Sequence, residues 1–233
     1  MARQDEMRAH WDRKIARWDD SVYDREGSHG LMGRLRSSVD ARMSIALEVL
    51  RTHMEGKTLL DLGCGAGRLA MLAVETLGAA RAHGIDISPA AVERAGALAE
   101  RAGVADRVTF EVGSVARETL PEADITVGLG LLDWLDDEET ERLMTALEGR
   151  RILLSYSEQD NSLAEIVHRF YLVHRLRLFG GAVRARHHRR GEILDLMDRH
   201  GFLPCEIIER REARFGRLIH NLRGMRIPVP RET

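Results

Sequence analysis

TLLDLGCGAGRLA, residues 58–70, decides how this chain folds. A short apolar run, Thr58 to Leu60, leads into Asp61. Glycines follow at alternate positions, Gly63, Gly65 and Gly67, with Cys64 between the first two. The next stretch, RLAMLAVETLG, has helical periodicity and stops at Gly78, a natural C-cap. The order reads as a buried strand, a tight turn and a helix N-terminus. Glycine is needed where the backbone takes positive φ and must leave its main chain bare for a ligand. The helix behind the turn offers free N–H groups and the positive end of its dipole.

Moving outward, strands and helices alternate. Ala82 to Ile87 is a second strand with Asp86 at its carboxyl end, 25 residues after Asp61. Ser88 is a good N-cap and Pro89 suits the first helical position, so a helix follows over Ala90 to Ala102 and ends at Gly103. Strands are expected at Arg107 to Val112, Ala123 to Gly128 and Arg151 to Tyr156, and the acidic-start helix DDEETERLMTALEG precedes the last of these. A final helix, Glu192 to His200, stops at Gly201. Two strands, Phe202 to Arg210 and Phe215 to Arg223, then close the chain as an antiparallel hairpin, before a loose tail with Pro228 and Pro230.

An acidic residue on the strand after a glycine turn can accept both hydroxyls of a ribose, which is the reading given to Asp86. The glycine spacing itself departs from the dinucleotide fingerprint, which has two residues between its last glycines. DLGCGAG resembles instead the first motif of class I S-adenosylmethionine (SAM) methyltransferases, and the resemblance spans most of the chain, strongest from Leu59 to Trp134. It implies a Rossmann-like α/β fold: a seven-stranded, mostly parallel sheet with a C-terminal antiparallel hairpin. It also implies SAM as cofactor, with the turn (Asp61, Gly63, Cys64, Gly65, Gly67) at the methionine part and Asp86 with Ile87 at the ribose. Strand four must lie beside strand one, where the crossover reverses, and ligands of open α/β sheets bind in that crevice. Gly130, Leu131 and Leu132 therefore face the cofactor, with the methionine amine against backbone carbonyls there.

Other positions stay open at this level. Many relatives carry an aspartate near Gly113, Ser114 and Val115 that accepts from the adenine amino group; here Ser114 or nearby backbone takes that role, or the segment is a plain strand exit. Asp133, at the mouth with Trp134, either orients a substrate or caps the next helix.

Four segments are expected: an N-terminal helical cap (1–55), the SAM-binding core (56–156), a helical lid insertion (157–190), and the closing helix and strands (191–233). The cap holds two helices, Gln4 to Trp18 and Arg34 to Met54, joined by a polar loop with Tyr23 and His29; the helices simply cover the sheet, or Tyr23, His29 and their neighbours help close the cofactor pocket. Met7, Trp11, Ile15 and Trp18 form the first helix's apolar face. The insertion contains an amphipathic helix, Leu163 to Phe179. Seven arginines and no acidic residue stand between Arg169 and Arg190. They form a solvated face, a lid that attracts an anionic or carrier-bound substrate, or a membrane-surface contact.

Bulk properties narrow the function classes. Net charge is −2, against a strongly basic nucleic-acid binder. There is no apolar run long enough for a membrane span and no secretion signal, which points to the cytoplasm. Cys64 and Cys205 lack metal-ligand spacing and read as reduced thiols, and no metal is expected. Methyl transfer to an alcohol or phenol needs a base, for which His187 and His188 are the leading candidates over His29, His168 and His174. The expected function is O-methylation of a small, anionic metabolite, with a weaker resemblance to magnesium-protoporphyrin O-methyltransferases. N- or C-methylation and a catalytically inactive SAM-binding protein are the alternatives. The absence of an NPPY-like tetrapeptide after strand four weighs against base aminomethylation.

Overall fold

A computed structural model describes residues 2–23, 31–159, 185–210, 213 and 216–221, with side chains from 3 to 15 and from 40 onward within that set. Seven strands form one sheet in the order β3-β2-β1-β4-β5-β7-β6. They are β1 (Thr58–Leu62), β2 (Arg81–Asp86), β3 (Val108–Val112), β4 (Ile125–Gly128), β5 (Ile152–Ser157), β6 (Glu206–Ile208) and β7 (Gly216–Asn221). β1 pairs with β2 and β4 in parallel, while β7 runs antiparallel to both β5 and β6. The order turns back at β1 and β4, as the sequence predicted.

Period-2 alternation sorts the side chains of each central strand between two layers. Leu59 and Leu153 face α2 (Leu31–Arg51) and α3 (Arg68–Thr76), packing with Ala46, Leu50 and Val74. Leu60, Leu62, Leu154 and Tyr156 face α5 (Asp137–Leu147) and α6 (Arg190–Arg199), packing with Leu143, Met144 and Met197. α4 (Pro89–Ala102) lies over β2 and β3 on the first side. Central strands buried on both faces leave only their ends for chemistry.

Several boundaries moved. α1 spans Ala2–Tyr23, five residues past Trp18, so part of the expected loop is helical; residues 24–30, with His29, lie outside the described set, as do the side chains of Trp18 and Tyr23. α2 starts at Leu31 and stops at Arg51. Met54 is still fully buried, but in a turn where Lys57 N–H donates to Met54 O. The amphipathic helix at 163–179, His168, His174 and the tail prolines also fall outside the described residues.

Candidate cofactor and acceptor site

The glycine turn is built by two separate needs. Gly67 has φ of 74°, and a Cβ there would collide with the Phe110 ring, which packs against this bare Cα. Gly65 has φ of 53°, and among the described residues a Cβ there would meet only Ile15 Cδ1, at 3.7 Å. One glycine therefore serves packing between turn and sheet, while the other leaves open main chain beneath α1. Cys64 points down: its Sγ would lie 2.8 Å from a Cβ on Gly84, and burial pushes its thiol well above the ordinary range. It fills the sheet side of the turn and offers its backbone to the ligand side.

Asp86 stands at the carboxyl end of β2, 9% exposed. Gly65 N–H donates to its Oδ2 and Ser88 N–H to its Oδ1, both at 2.9 Å. A carboxylate has about four lone-pair sites, so two acceptor positions remain. Burial, the largest cause, pushes the Asp86 carboxyl above the usual carboxylate range. Asp61 is buried beside it. Desolvation first, then the charge of Asp86, pushes Asp61 up to about 7, against a hydrogen bond from the Ala70 backbone in the first turn of α3. Asp61 thus stands in for the side-chain cap that Gly67 cannot supply.

The β4 exit forms the opposite wall. Gly130 takes φ of 72° and donates its N–H to Ser155 Oγ at 2.6 Å. Leu131 leans on the turn, its Cδ1 3.3 Å from where a Gly63 Cβ would stand. Leu132 does not face the crevice as expected. It is 2% exposed within the α5–α6 core, because Leu132–Trp134 wind into a 3-10 turn that rotates it inward.

Asp133 does not cap a helix either. Asp136 does, in a reciprocal capping box with Glu139. Asp133 is buried, and both its oxygens are taken: Oδ1 by Ser157 N–H at 2.7 Å, Oδ2 by Ser157 Oγ at 2.7 Å and by Arg42 at 3.4 Å. His188 is 8% exposed, with Nε2 3.1 Å from Leu132 O and its ring edge-on to Tyr156. Arg186 pairs with Asp137, and Arg190 with Glu158 and Glu209. These two arginines of the basic stretch are neutralised by their own protein and do not form an open cationic face.

α1 roofs the site in a way the sequence reading passed over. Gln4, Arg8 and Asp12, one turn apart, form a polar stripe beside the apolar face. Gln4 donates to Ser114 Oγ at 3.3 Å and Arg8 to Ile87 O at 3.3 Å. Asp12 accepts from Ser88 Oγ at 2.5 Å and from Ala90 N–H at 3.3 Å. At the other wall Arg3 pairs with Asp136 and donates to Trp134 O, both at 2.7 Å. A cleft of about 510 Å³ opens between this end of α1, Ser114 and α5. The i, i+4, i+8 spacing of Gln4, Arg8 and Asp12 was the available signal. Arg42 was also missed, since a single arginine inside an amphipathic helix looks like a solvated position. Val115 packs into the core, leaving Gly113 and Ser114 as the half-buried edge of that exit.

The structure thus gathers Asp61, the glycine turn, Asp86, Ile87, Ser114, Gly130 and Leu131 around one crevice. At the β4 exit the Arg42 Nη1 lies 3.6 Å from where a Cβ on Gly130 would stand. Among the described residues no group of three or more His, Cys, Asp or Glu is placed to hold a metal, and no helix is long and apolar enough to cross a membrane.

Residues 53–135 match the family described as a methyltransferase domain. Ribosomal protein L11 methyltransferase from Salmonella newport is 45% identical over 74 residues, 32% of this chain and 25% of that protein. The chain therefore spans about a quarter of the length of the curated relatives it matches. In overall shape it is similar to magnesium protoporphyrin IX methyltransferase from Synechocystis PCC 6803, crystallised with S-adenosylhomocysteine (SAH): TM-score 0.71, 21% identity, 94% of this chain and 98% of that one. Geranyl diphosphate C-methyltransferase from Streptomyces coelicolor A3(2) superposes with TM-score 0.59 at 16% identity, over 86% and 79% of the two chains.

Proposed function

We propose that this chain, a class I SAM-dependent methyltransferase by its central domain and fold, binds SAM in the β1–β4 crevice and methylates a small-molecule acceptor at oxygen. The observation that carries the cofactor reading is Asp86, a buried carboxylate held by two backbone N–H groups with acceptor positions to spare. Asp86 would take the ribose hydroxyls, and the bare backbone of Gly63 and Gly65 with Gly130 would cradle the methionine end. Arg42, already beside Gly130, would face its carboxylate, and Ser114 with Gly113 would edge the adenine. When bound, SAM supplies a methyl group on a sulfonium centre that is a good leaving group.

The protein's work is then alignment and exclusion of water. α1 closes over the turn through Asp12, Arg8 and Gln4, and the β4 exit is fixed by the Asp133–Ser157–Arg42 network. A small-molecule acceptor is supported by the likeness to the magnesium protoporphyrin enzyme, which extends over 94% of this chain and so includes the regions outside the cofactor core. The likeness to the L11 enzyme stays within a third of the chain and carries no acceptor information.

Calorimetry with SAM and SAH, followed by tritiated-SAM turnover on a panel of carboxylates, phenols, alcohols and amines, tests this reading. Binding with methyl transfer to an oxygen acceptor supports it. Failure to bind either compound rejects the cofactor site, and binding without transfer to any acceptor favours the non-catalytic alternative.

A further inference from the structure

His10 is buried to 3% exposure on the inner face of α1, and its Nε2 has no hydrogen-bond partner among the described residues. Its ring meets Trp11 edge-on, with centroids 5.5 Å apart, and lies tilted on Trp134 at 6.0 Å; the two tryptophans meet at 5.0 Å. A buried polar atom left unpaired costs about 1–3 kcal/mol, a cost that a hydrogen bond to a bound molecule would remove. Its place is set by the helix that carries it. α1 crosses the carboxyl ends of three neighbouring strands: Asp12 bonds Ser88 after β2, Ile15 lies over Gly65 after β1, and Arg3 bonds Trp134 O after β4. His10 rests on Trp134, in the turn Leu132–Trp134 that follows β4.

We propose that His10 is the catalytic base, its Nε2 accepting the proton of the acceptor's attacking hydroxyl. This rests on the function proposed above and narrows it, since a base is required by an alcohol or phenol and not by a carboxylate nucleophile. The acceptor oxygen forms a bond to the methyl carbon. The carbon–sulfur bond breaks with its electron pair staying on sulfur, leaving a neutral thioether, and the O–H proton passes to Nε2 and then to solvent. Burial first, then Lys14 and Arg13, lowers His10 to about 4, so the ring is neutral and able to accept at ordinary pH. A weak base suffices, because an alkylated hydroxyl is far more acidic than the free one.

Three other candidates are committed or misplaced. Asp133 has both oxygens engaged, and His188 Nε2 sits at Leu132 O. His220 is also buried and unpartnered among the described residues, but it pairs in register with Leu153 and Glu206 near the opposite end of β5, away from the carboxyl ends.

The test compares wild type with His10→Asn and His10→Gln, each first titrated with SAH by calorimetry. The expected result is SAH affinity within about threefold of wild type, kcat on a hydroxyl acceptor down about 100-fold or more with KM changed only a few-fold, and partial rescue by added imidazole. Unchanged kcat overturns the proposal. So does a loss confined to KM, which marks a packing role, or a wild type that binds SAH yet methylates only carboxylates or nothing. A wild type that binds no SAH sinks the cofactor reading instead, so the two failures are distinct.

Discussion

Asp86→Asn is the sharpest perturbation of the site, because it changes charge with almost no change of shape. In the wild type each carboxylate oxygen already takes one backbone N–H, from Gly65 and from Ser88. The amide keeps one acceptor oxygen and must turn its NH₂ toward one of those donors. The diol then loses one charge-assisted bond and keeps the other only in neutral form. Hydrogen bonds to charged groups are worth about 1.5–3 kcal/mol and neutral ones about 1, so the loss is roughly 2–4 kcal/mol, or about 30- to 1,000-fold in SAH affinity. Stability is a poor readout here, because opposing effects cancel. The donor facing a donor is unfavourable, while removing a buried charge beside Asp61 is favourable. Calorimetry with SAH on folded protein is the assay, with the exposed Asp106→Asn as control. If folded Asp86→Asn binds SAH within about threefold of wild type, the bidentate ribose role is refuted.

Two glycines in one turn should fail differently. Gly67→Ala forces a positive φ on alanine and drives a methyl into Phe110, so a loss of about 2–4 kcal/mol in urea unfolding is expected. Gly65→Ala meets no close atom and should lose only about 1–2 kcal/mol of stability, while weakening SAH binding by about tenfold or more as its methyl enters the ligand side. Asp61 holds its proton to higher pH when folded than when unfolded, so its contribution to stability is complete below 3.8 and disappears as pH climbs through about 7. Apo wild type should therefore lose more stability than Asp61→Asn between about pH 5 and pH 8 in denaturant titrations. Asp136→Ala removes the α5 cap and a partner of Arg3, and should cost about 1 kcal/mol while raising hydrogen exchange in α1.

The parts of this molecule legible in the sequence are those where one residue type is forced by local geometry. The strand–turn–helix at 58–70 could be read because positive φ leaves few choices, and Ser88-Pro89 because caps are local. The strand order followed from alternation and the crossover reversal. The partner of Asp133 was not legible for a long-range reason: it is the Ser157 backbone at the end of β5, 24 residues away, and only the closed sheet brings the two together. The nearby Asp136 was then free to do the capping that Asp133 was considered for. Among the histidines, nearness to the mouth favours the basic stretch and gives no signal at position 10. There, helical periodicity marks only the apolar face, and a histidine beside tryptophans reads as core. Its unsatisfied nitrogen is invisible until α1 is laid across the strand ends. The residues that hold the cofactor are thus written in short motifs, whereas those that would choose and deprotonate an acceptor come from elements brought together by the fold.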